Sequence, residues 1–536
     1  MTSAAYAPTM TGRRPINPWI VAAAVVVPTF MEVLDTTIAN VALRYIAGGL
    51  SASVNDSEWV ITSYLAANAT ILPISGWLSS RLGRRNYFLG SIAIFTLASG
   101  LCGMATSLEQ LILFRVIQGL AGGGLQPSSQ GILIDAFPPE KQGSAMTLFA
   151  IAGLIAPVIG PTLGGYLTVF YEWRWIFYIN IPVGIMGFLF CYMVVEDPPY
   201  LKQTRADLLR QPFRFDYIGL SLLVLAVSCW EILLSKGQEW DWYADPTWRA
   251  QTMAIVFGLS LVTLIIHELR TPDPVINLRP LADRNFAACS LIVFCVYGVL
   301  YAASTTLPGL LQTLFGYDAY ASGLVLSPSG IGSVMMLLVA GFLLGKGADA
   351  RWLIMAGLLL MAAGNYWMAL MNLSISPSQV VWPRVVTFMG ISLIFVPLNV
   401  AAFQGVPQQL RGAAVGLFAL LRNEGGSVGT SLAKTLEQRR AQFHSARVNE
   451  FLDPFNPQVQ EFLNNGQSVF LGETGDPAAS NLLSLQALET LRNQQAASLA
   501  YFDDFWFFAV LSLSLIALVF LMRRAVAEKG APIGAE

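Results

Sequence analysis

Charge is scarce in this sequence. Asp, Glu, Lys and Arg make up 12% of the 536 residues and hydrophobic residues 55%, where a soluble chain carries about 25% charged residues. With a mean hydropathy of +0.57, this composition excludes an ordinary soluble protein and points to the membrane. No basic excess exists: 31 Lys and Arg against 33 Asp and Glu leave a net charge of −2, without the positive face that nucleic acid needs. The two histidines, His267 and His444, lie apart with no ligands at metal spacing, so neither a metal centre nor a catalytic constellation is in view. No GxxxxGK[ST] phosphate loop occurs, which argues against ATP hydrolysis. No enzyme activity and no cofactor are expected, and the energy source becomes an ion gradient. The five cysteines, Cys102, Cys191, Cys229, Cys289 and Cys295, all fall in apolar runs and read as buried small side chains rather than disulfide partners.

What the chain has is long apolar segments. Fourteen can be marked, at 17–42, 57–79, 87–105, 109–131, 143–167, 173–195, 216–235, 250–269, 285–306, 320–344, 351–371, 379–403, 411–435 and 503–523, each near the ~20 residues that cross a hydrocarbon core. The first run is too long for a signal peptide and continues into acidic residues, so it reads as a membrane helix. The expectation is an all-α polytopic membrane protein with fourteen transmembrane helices laid out as 6+2+6. That divides the chain into a tail 1–16, a six-helix bundle 17–195, a linker 196–283 with two extra helices, a second bundle 284–525 that includes an extracytoplasmic loop 437–500, and a tail 526–536. Lys and Arg collect in alternate connections: Arg81, Arg84 and Arg85; Lys141; Lys202, Arg205, Arg210 and Arg214; Arg270, Arg279 and Arg284; Lys346 and Arg351; Arg411; and Arg523, Arg524 and Lys529. Positive loops stay inside, so both termini are expected in the cytoplasm.

The chain also repeats itself. "GSAMTLFA" from Gly143 returns as "GAAVGLFA" from Gly412, and "RV" at Arg115 returns at Arg384, both at an offset of 269 residues. One shared offset over two adjacent helices points to two halves related by an axis along the membrane normal, an arrangement found in transporters.

Ionisable residues inside apolar spans need a role, because each costs about 2.5–3.5 kcal/mol on insertion scales. Glu32 and Asp35 stand three residues apart in "FMEVLDTTIAN" and share a helix face. Arg115 lies in "LILFRVIQGLAGGG", and Arg422 and Glu424 in "LLRNEGGSVG", which gives each half an acid and an arginine. These five residues are candidates for proton coupling; a static ion pair is the plain alternative for Asp35, and helix packing for Arg115. Asn40, Gln118, Gln126 and Asn399 are candidate polar groups of a substrate cavity. In "GLIAPVIGPTLGG", Gly153, Pro157, Gly160, Pro161, Gly164 and Gly165 combine close approach with helix bending, which suits either a moving gate or a tight crossing. In "GWLSSRLGRRNY", Gly76, Arg81, Gly83, Arg84 and Arg85 form a basic turn that can latch helix ends. The polar segment 437–500, with Leu482, Leu485, Leu488 and Leu491, reads as amphipathic helix that covers an exit, docks a partner or simply packs on its own protein.

Taken together, "LDTTIANVAL", "GWLSSRLGRR", "LILFRVIQG", "GLIAPVIGPTLGG" and "WRWIFYINIPVG" resemble the motifs of the major facilitator superfamily, in its fourteen-helix drug:proton antiporter branch of the EmrB/QacA type. The resemblance implies that Asp35 is a protonation or cation-recognition site, Arg115 a coupling residue and the Gly153–Gly165 helix a barrier against leak. Ser80 stands where the loop motif usually has aspartate, which puts a latch through that acid in doubt. The segment with "DPFNP" and "QQAASLAYFDDF" is more similar to the EmrB side of the branch. This implies a pump of the bacterial inner membrane that works with a periplasmic adaptor and an outer-membrane channel and exports hydrophobic or amphipathic small molecules against protons. A dedicated exporter of one metabolite or siderophore, an importer, and a non-transporting scaffold or sensor remain as rival readings.

Overall fold

The computed structural model describes residues 17–137, 139–198, 201–202, 205–206, 216–271, 274–373 and 376–524. The two expected tails, including Lys529, and residues Arg210 and Arg214 lie outside the described residues, as do the side chains of Lys141 and Arg411. Helices carry the fold. The first group comprises α1 (Pro18–Gly49), α2 (Trp59–Ile71 and Ser75–Leu82), α3 (Arg84–Met104), α4 (Leu108–Gly122 and Leu125–Ala136), α5 (Pro139–Phe170) and α6 (Trp175–Tyr178 and Asn180–Val194). Next come α7 (Tyr217–Lys236) and α8 (Arg249–Arg270), then α9 (Arg284–Thr313), α10 (Ala319–Leu326 and Pro328–Gly345), α11 (Ala350–Ala369), α12 (Pro377–Phe403), α13 (Gln408–Asn449), α14 (Pro457–Thr474) and α15 (Pro477–Ser514 and Ile516–Leu521). Starts follow capping chemistry: Asn17, Ser107, Asp216, Asp283 and Asp318 each accept a hydrogen bond from a backbone N–H of the first turn.

Eleven helices among the described residues are long and apolar enough to cross a membrane. The other three expected segments differ for identifiable reasons. Pro73 divides α2 between Ile71 and Ser75, because proline has no N–H for the ladder. Gly123 and Gly124 divide α4. In α13 the run Arg422, Asn423, Glu424 dilutes an otherwise apolar segment.

Helix packing repeats along the chain. α1 packs on α5 and α6, α2 on α4, and α3 on α4 and α6; in the same pattern α9 packs on α13 and α15, α10 on α12, and α11 on α12 and α15. Two seams join these groups. Along one, α5 runs directly against α10; along the other, α2 meets α13, and α7 packs on both of them. The partner of α7 is α8, with Trp230 stacked on Phe257 at 4.5 Å.

Glycine sets the distance at two equivalent crossings. A Cβ at Gly160 would stand 2.2 Å from Thr37 Oγ1 on α1, and a Cβ at Gly429, which lies 269 residues further on, would stand 2.2 Å from the Gly298 carbonyl oxygen on α9. Any side chain there parts the helices. A Cβ at Gly164 would likewise abut Ile38 and one at Gly165 Ala319 of α10, whereas one at Gly153 would meet nothing within 4 Å among the described residues. Gly160→Val is therefore expected to lower stability by about 1–3 kcal/mol while Gly153→Ala leaves it unchanged, as read by thermal unfolding of the detergent-purified protein.

The 42 residues of α13 span about 63 Å at 1.5 Å per residue, twice a ~30 Å hydrocarbon core. The excess, with α14 and the first part of α15, forms a helical hairpin beyond the bundle. Its leucine stripe is not its packing face: Leu482, Leu485 and Leu491 are exposed, whereas Ser480 and Ser484 are buried. Small residues win that face because α14 lies close, with Gly466 against Ser484.

Candidate functional site

Asp35 and Arg115 are both fully buried and form an ion pair at 2.5 Å between Arg115 Nη1 and Asp35 Oδ2. Burying two such charges costs several kcal/mol each unless their remaining hydrogen-bonding capacity is met. Here it is largely met. Gln118 Nε2 and Asn180 Nδ2 donate to Asp35 Oδ1 at 3.0 and 2.7 Å. Arg115 Nε donates to the Val60 carbonyl at 3.0 Å and Nη1 to Gln118 Oε1 at 2.9 Å, while its guanidinium sits 4.2 Å from the Tyr64 ring centroid. The cage draws on α1, α2, α4 and α6 and ties the first group together. Gln118, expected in the cavity, belongs to this cage because its amide bonds both charges, accepting from Arg115 and donating to Asp35.

Glu32, one turn before Asp35, looks elsewhere. It accepts hydrogen bonds from Tyr64 Oη at 3.3 Å, Asn68 Nδ2 at 3.2 Å and Gln126 Nε2 at 2.7 Å. Gln126 Oε1 in turn accepts from Arg422 Nη2. An acid of the first group is thus joined to a cation of the second through one amide. Arg422 also lies 5.4 Å from the Tyr297 ring centroid. A cleft beside this chain is lined by Thr37, Asn40, Pro157, Pro161, Tyr301 and Ser304, and a second by Tyr297, Phe395, Asn399 and Arg422 with apolar neighbours. Asn40 and Asn399 therefore line the clefts, and Gln126 bridges the halves.

The second group answers the first incompletely. Arg384 and Ser304 lie 269 residues beyond Arg115 and Asp35, and Arg384 Nη2 donates to Ser304 Oγ at 3.3 Å and Nη1 to the Ala303 carbonyl at 2.9 Å. The repeat keeps the arginine and replaces its acid by a hydroxyl. Glu424 does not pair with Arg422 two residues away; it is buried toward Glu231 on α7. The sequence reading missed Tyr64, Asn68, Asn180 and Glu231. Asn68, Asn180 and Glu231 carried the signal that found Glu32, a strongly polar side chain in an apolar run.

The basic turn between α2 and α3 is latched without an acid at position 80. Arg84 pairs with Asp135 and donates to the Gly131 carbonyl at 2.9 Å. Asp197 accepts from the Arg85 backbone N–H at 2.8 Å, and the Arg85 side chain donates to the Val195 and Tyr192 carbonyls, each at 2.8 Å. Gly83 has φ +87°, a conformation glycine adopts freely. Arg81 lies over the Trp77 ring, and its carbonyl accepts from Arg205. A Cβ at Gly76 would meet no neighbouring atom within 4 Å among the described residues. Asp135 and Asp197, each distant in sequence, are the acids to which this turn is tied.

A polytopic helical bundle with a duplicated packing scheme and polar contacts between its halves has the architecture of a membrane transporter. Residues 26–430 match the Major Facilitator Superfamily, and the chain belongs to that family. It is 34% identical over 508 residues to the Multidrug export protein EmrB of Escherichia coli strain K12, covering 95% of this chain and 96% of that protein. It is 33% identical over 494 residues to the Fatty acid resistance protein FarB of Neisseria gonorrhoeae, covering 92% and 94%. A bacterial homolog of the human lysosomal transporter Spinster, in an inward-facing and occupied conformation, shares the fold with a TM-score of 0.56 at 17% identity, over 95% of this chain and 97% of that one.

Proposed function

We propose that this protein is a multidrug exporter that moves hydrophobic or amphipathic compounds across the bacterial inner membrane in exchange for protons. The observation that carries this reading is the Glu32–Gln126–Arg422 chain, because it puts a buried carboxylate where the two halves meet. Protonation of Glu32 removes the charge that Gln126 links to Arg422 and loosens that contact. Amphipathic cargo in the adjoining clefts acts on the same contact. Each ligand then favours a different arrangement of the halves, which is the requirement for coupling their fluxes. The Asp35–Arg115 cage is the fixed polar core against which this happens. The relatives named for multidrug export and fatty acid resistance support an apolar cargo.

In this reading α2, α4 and α13 cross the membrane with the eleven apolar helices, fourteen in the order 6+2+6, with both termini in the cytoplasm and the helical hairpin in the periplasm. The hairpin is then the part placed to meet a periplasmic adaptor and, through it, an outer-membrane channel. The periplasmic end of the α2–α13 seam is closed by charge: Lys434 of α13 pairs with Glu58 at the start of α2, and Lys236 of α7 lies 4.0 Å from Glu58. Glu58→Lys is expected to open that end, raising periplasmic alkylation of a cysteine placed at Ser304 about fivefold, the shift that roughly 1 kcal/mol gives.

The function is tested with purified protein in proteoliposomes, measuring export of several unrelated amphipathic dyes with and without an imposed pH gradient. Export of most dyes, collapsing with a protonophore, is expected. Export of a single compound class would make this a dedicated exporter, and bound dyes that are never moved would favour a scaffold or sensor.

A further inference from the structure

The helices α7 and α8 lie between the two repeated groups in sequence, and α7 packs on both sides of the α2–α13 seam. Ser235 Oγ lies 2.5 Å from Thr62 Oγ1 of α2, and Ser431 Oγ of α13 donates to the Leu234 carbonyl at 2.6 Å. One turn deeper on α7 stands Glu231, 3% exposed, facing Glu424 of α13, 9% exposed. Neither oxygen of Glu424, nor Oε1 of Glu231, has a hydrogen-bond partner among the described residues. Ser427, one turn from Glu424 and 6% exposed, faces Glu231, and its Oγ is likewise unpartnered.

Among the described residues, the charged and titratable surroundings supply no counter-ion. On α13, Arg422 is committed to Gln126 and the Tyr297 ring, and Lys434 to Glu58. On α7, Lys236 bonds Glu239 at 2.7 Å. On α2, Tyr64 donates to Glu32; on α9, Tyr297 and Tyr301 lie on the Arg422 side of α13; and Trp230 of α7 adds only an indole N–H near Glu424. Two adjacent buried carboxylates without a cation repel one another, and a proton held between them removes the repulsion while satisfying two of the orphaned oxygens.

We propose that Glu231 and Glu424 form a second proton-binding site, in which one carboxyl O–H donates to the other carboxylate, built between the inserted helix α7 and the second half. Loading adds one proton from water, and unloading returns it. The pair would make α7 part of the coupling machinery, because movement of α13 against α7 separates the two acids and favours release. This extends the proton-coupled reading above and rests on it for its role in transport.

The test is infrared difference spectroscopy of the resting protein, titrated from alkaline to acidic buffer without cargo or gradient. The protonated-carboxyl band removed by Glu424→Gln is expected to be displaced in Glu231→Gln, and the band removed by Glu231→Gln displaced in Glu424→Gln. Glu231→Asp, which keeps the carboxyl in a shorter side chain, should also displace the Glu424 band, and serves if a glutamine variant fails to accumulate. Bands that vanish one by one and leave the other unmoved would overturn the shared site. So would the absence of any band assignable to either residue. Export that ignores a proton gradient would sink the transport reading and leave this spectroscopic result standing.

Discussion

In vesicles driven by a pH gradient, Glu32→Gln is expected to export an amphipathic dye at least about a hundredfold more slowly than the wild type, the usual scale for removing a proton-transferring side chain. Dye binding to the purified variant should stay close to wild type. The substitution keeps the volume and an oxygen that can accept from Tyr64 and Asn68, which donate at 3.3 and 3.2 Å. What it removes is the charge opposite Gln126 and the ability to take up a proton. Gln126→Leu probes the same chain from its middle: it separates Glu32 from Arg422 without touching either, and is expected to weaken the dependence of export on the pH gradient. A Glu32→Gln variant that exports at the wild-type rate would remove this residue from the mechanism.

Asp35→Asn is expected to destabilise the protein by roughly 3–5 kcal/mol, because it leaves the Arg115 charge buried with no counter-charge. Arg115→Met is expected to do the same from the other side. The double substitution Asp35→Leu with Arg115→Met removes both charges together and is expected to recover most of the lost stability, measured by denaturant unfolding in detergent and by abundance in the membrane. Export should recover with it if the pair is a fixed core. A stable double variant that does not export would instead return a coupling role to Asp35, the role that the first-helix motif implies.

Much of this molecule was legible in its apolar periodicity. The long runs and the 269-residue offset carried the two-group architecture, because a membrane helix is specified locally and a repeat reproduces both its sequence and its neighbours. The polar residues buried in those runs marked the site for the same reason: each needs a partner in the bundle. Which partner was not legible. Glu32 and Asp35 share a helix face, yet side chains one turn apart diverge to α2 and α4 in one case and to α4 and α6 in the other. Arg422 and Glu424, two residues apart, point to opposite neighbours. Asp135 and Asp197 could not be read as the latch acids, since the turn brings them to Arg84 and the Arg85 backbone only in three dimensions. The leucines of the hairpin left three roles open, and its packing face was not legible: Leu482, Leu485 and Leu491 stay exposed, while the close approach of α14 selects serine and glycine on the packed side.

The most direct test is proton counterflow in proteoliposomes holding the wild type or Glu32→Gln, with internal pH followed as an amphipathic dye is moved in the opposite direction. The account predicts dye-dependent proton movement in the wild type, abolished by a protonophore, and none in Glu32→Gln. Dye movement in the wild type without any accompanying proton, or proton movement in Glu32→Gln equal to that of the wild type, would contradict it.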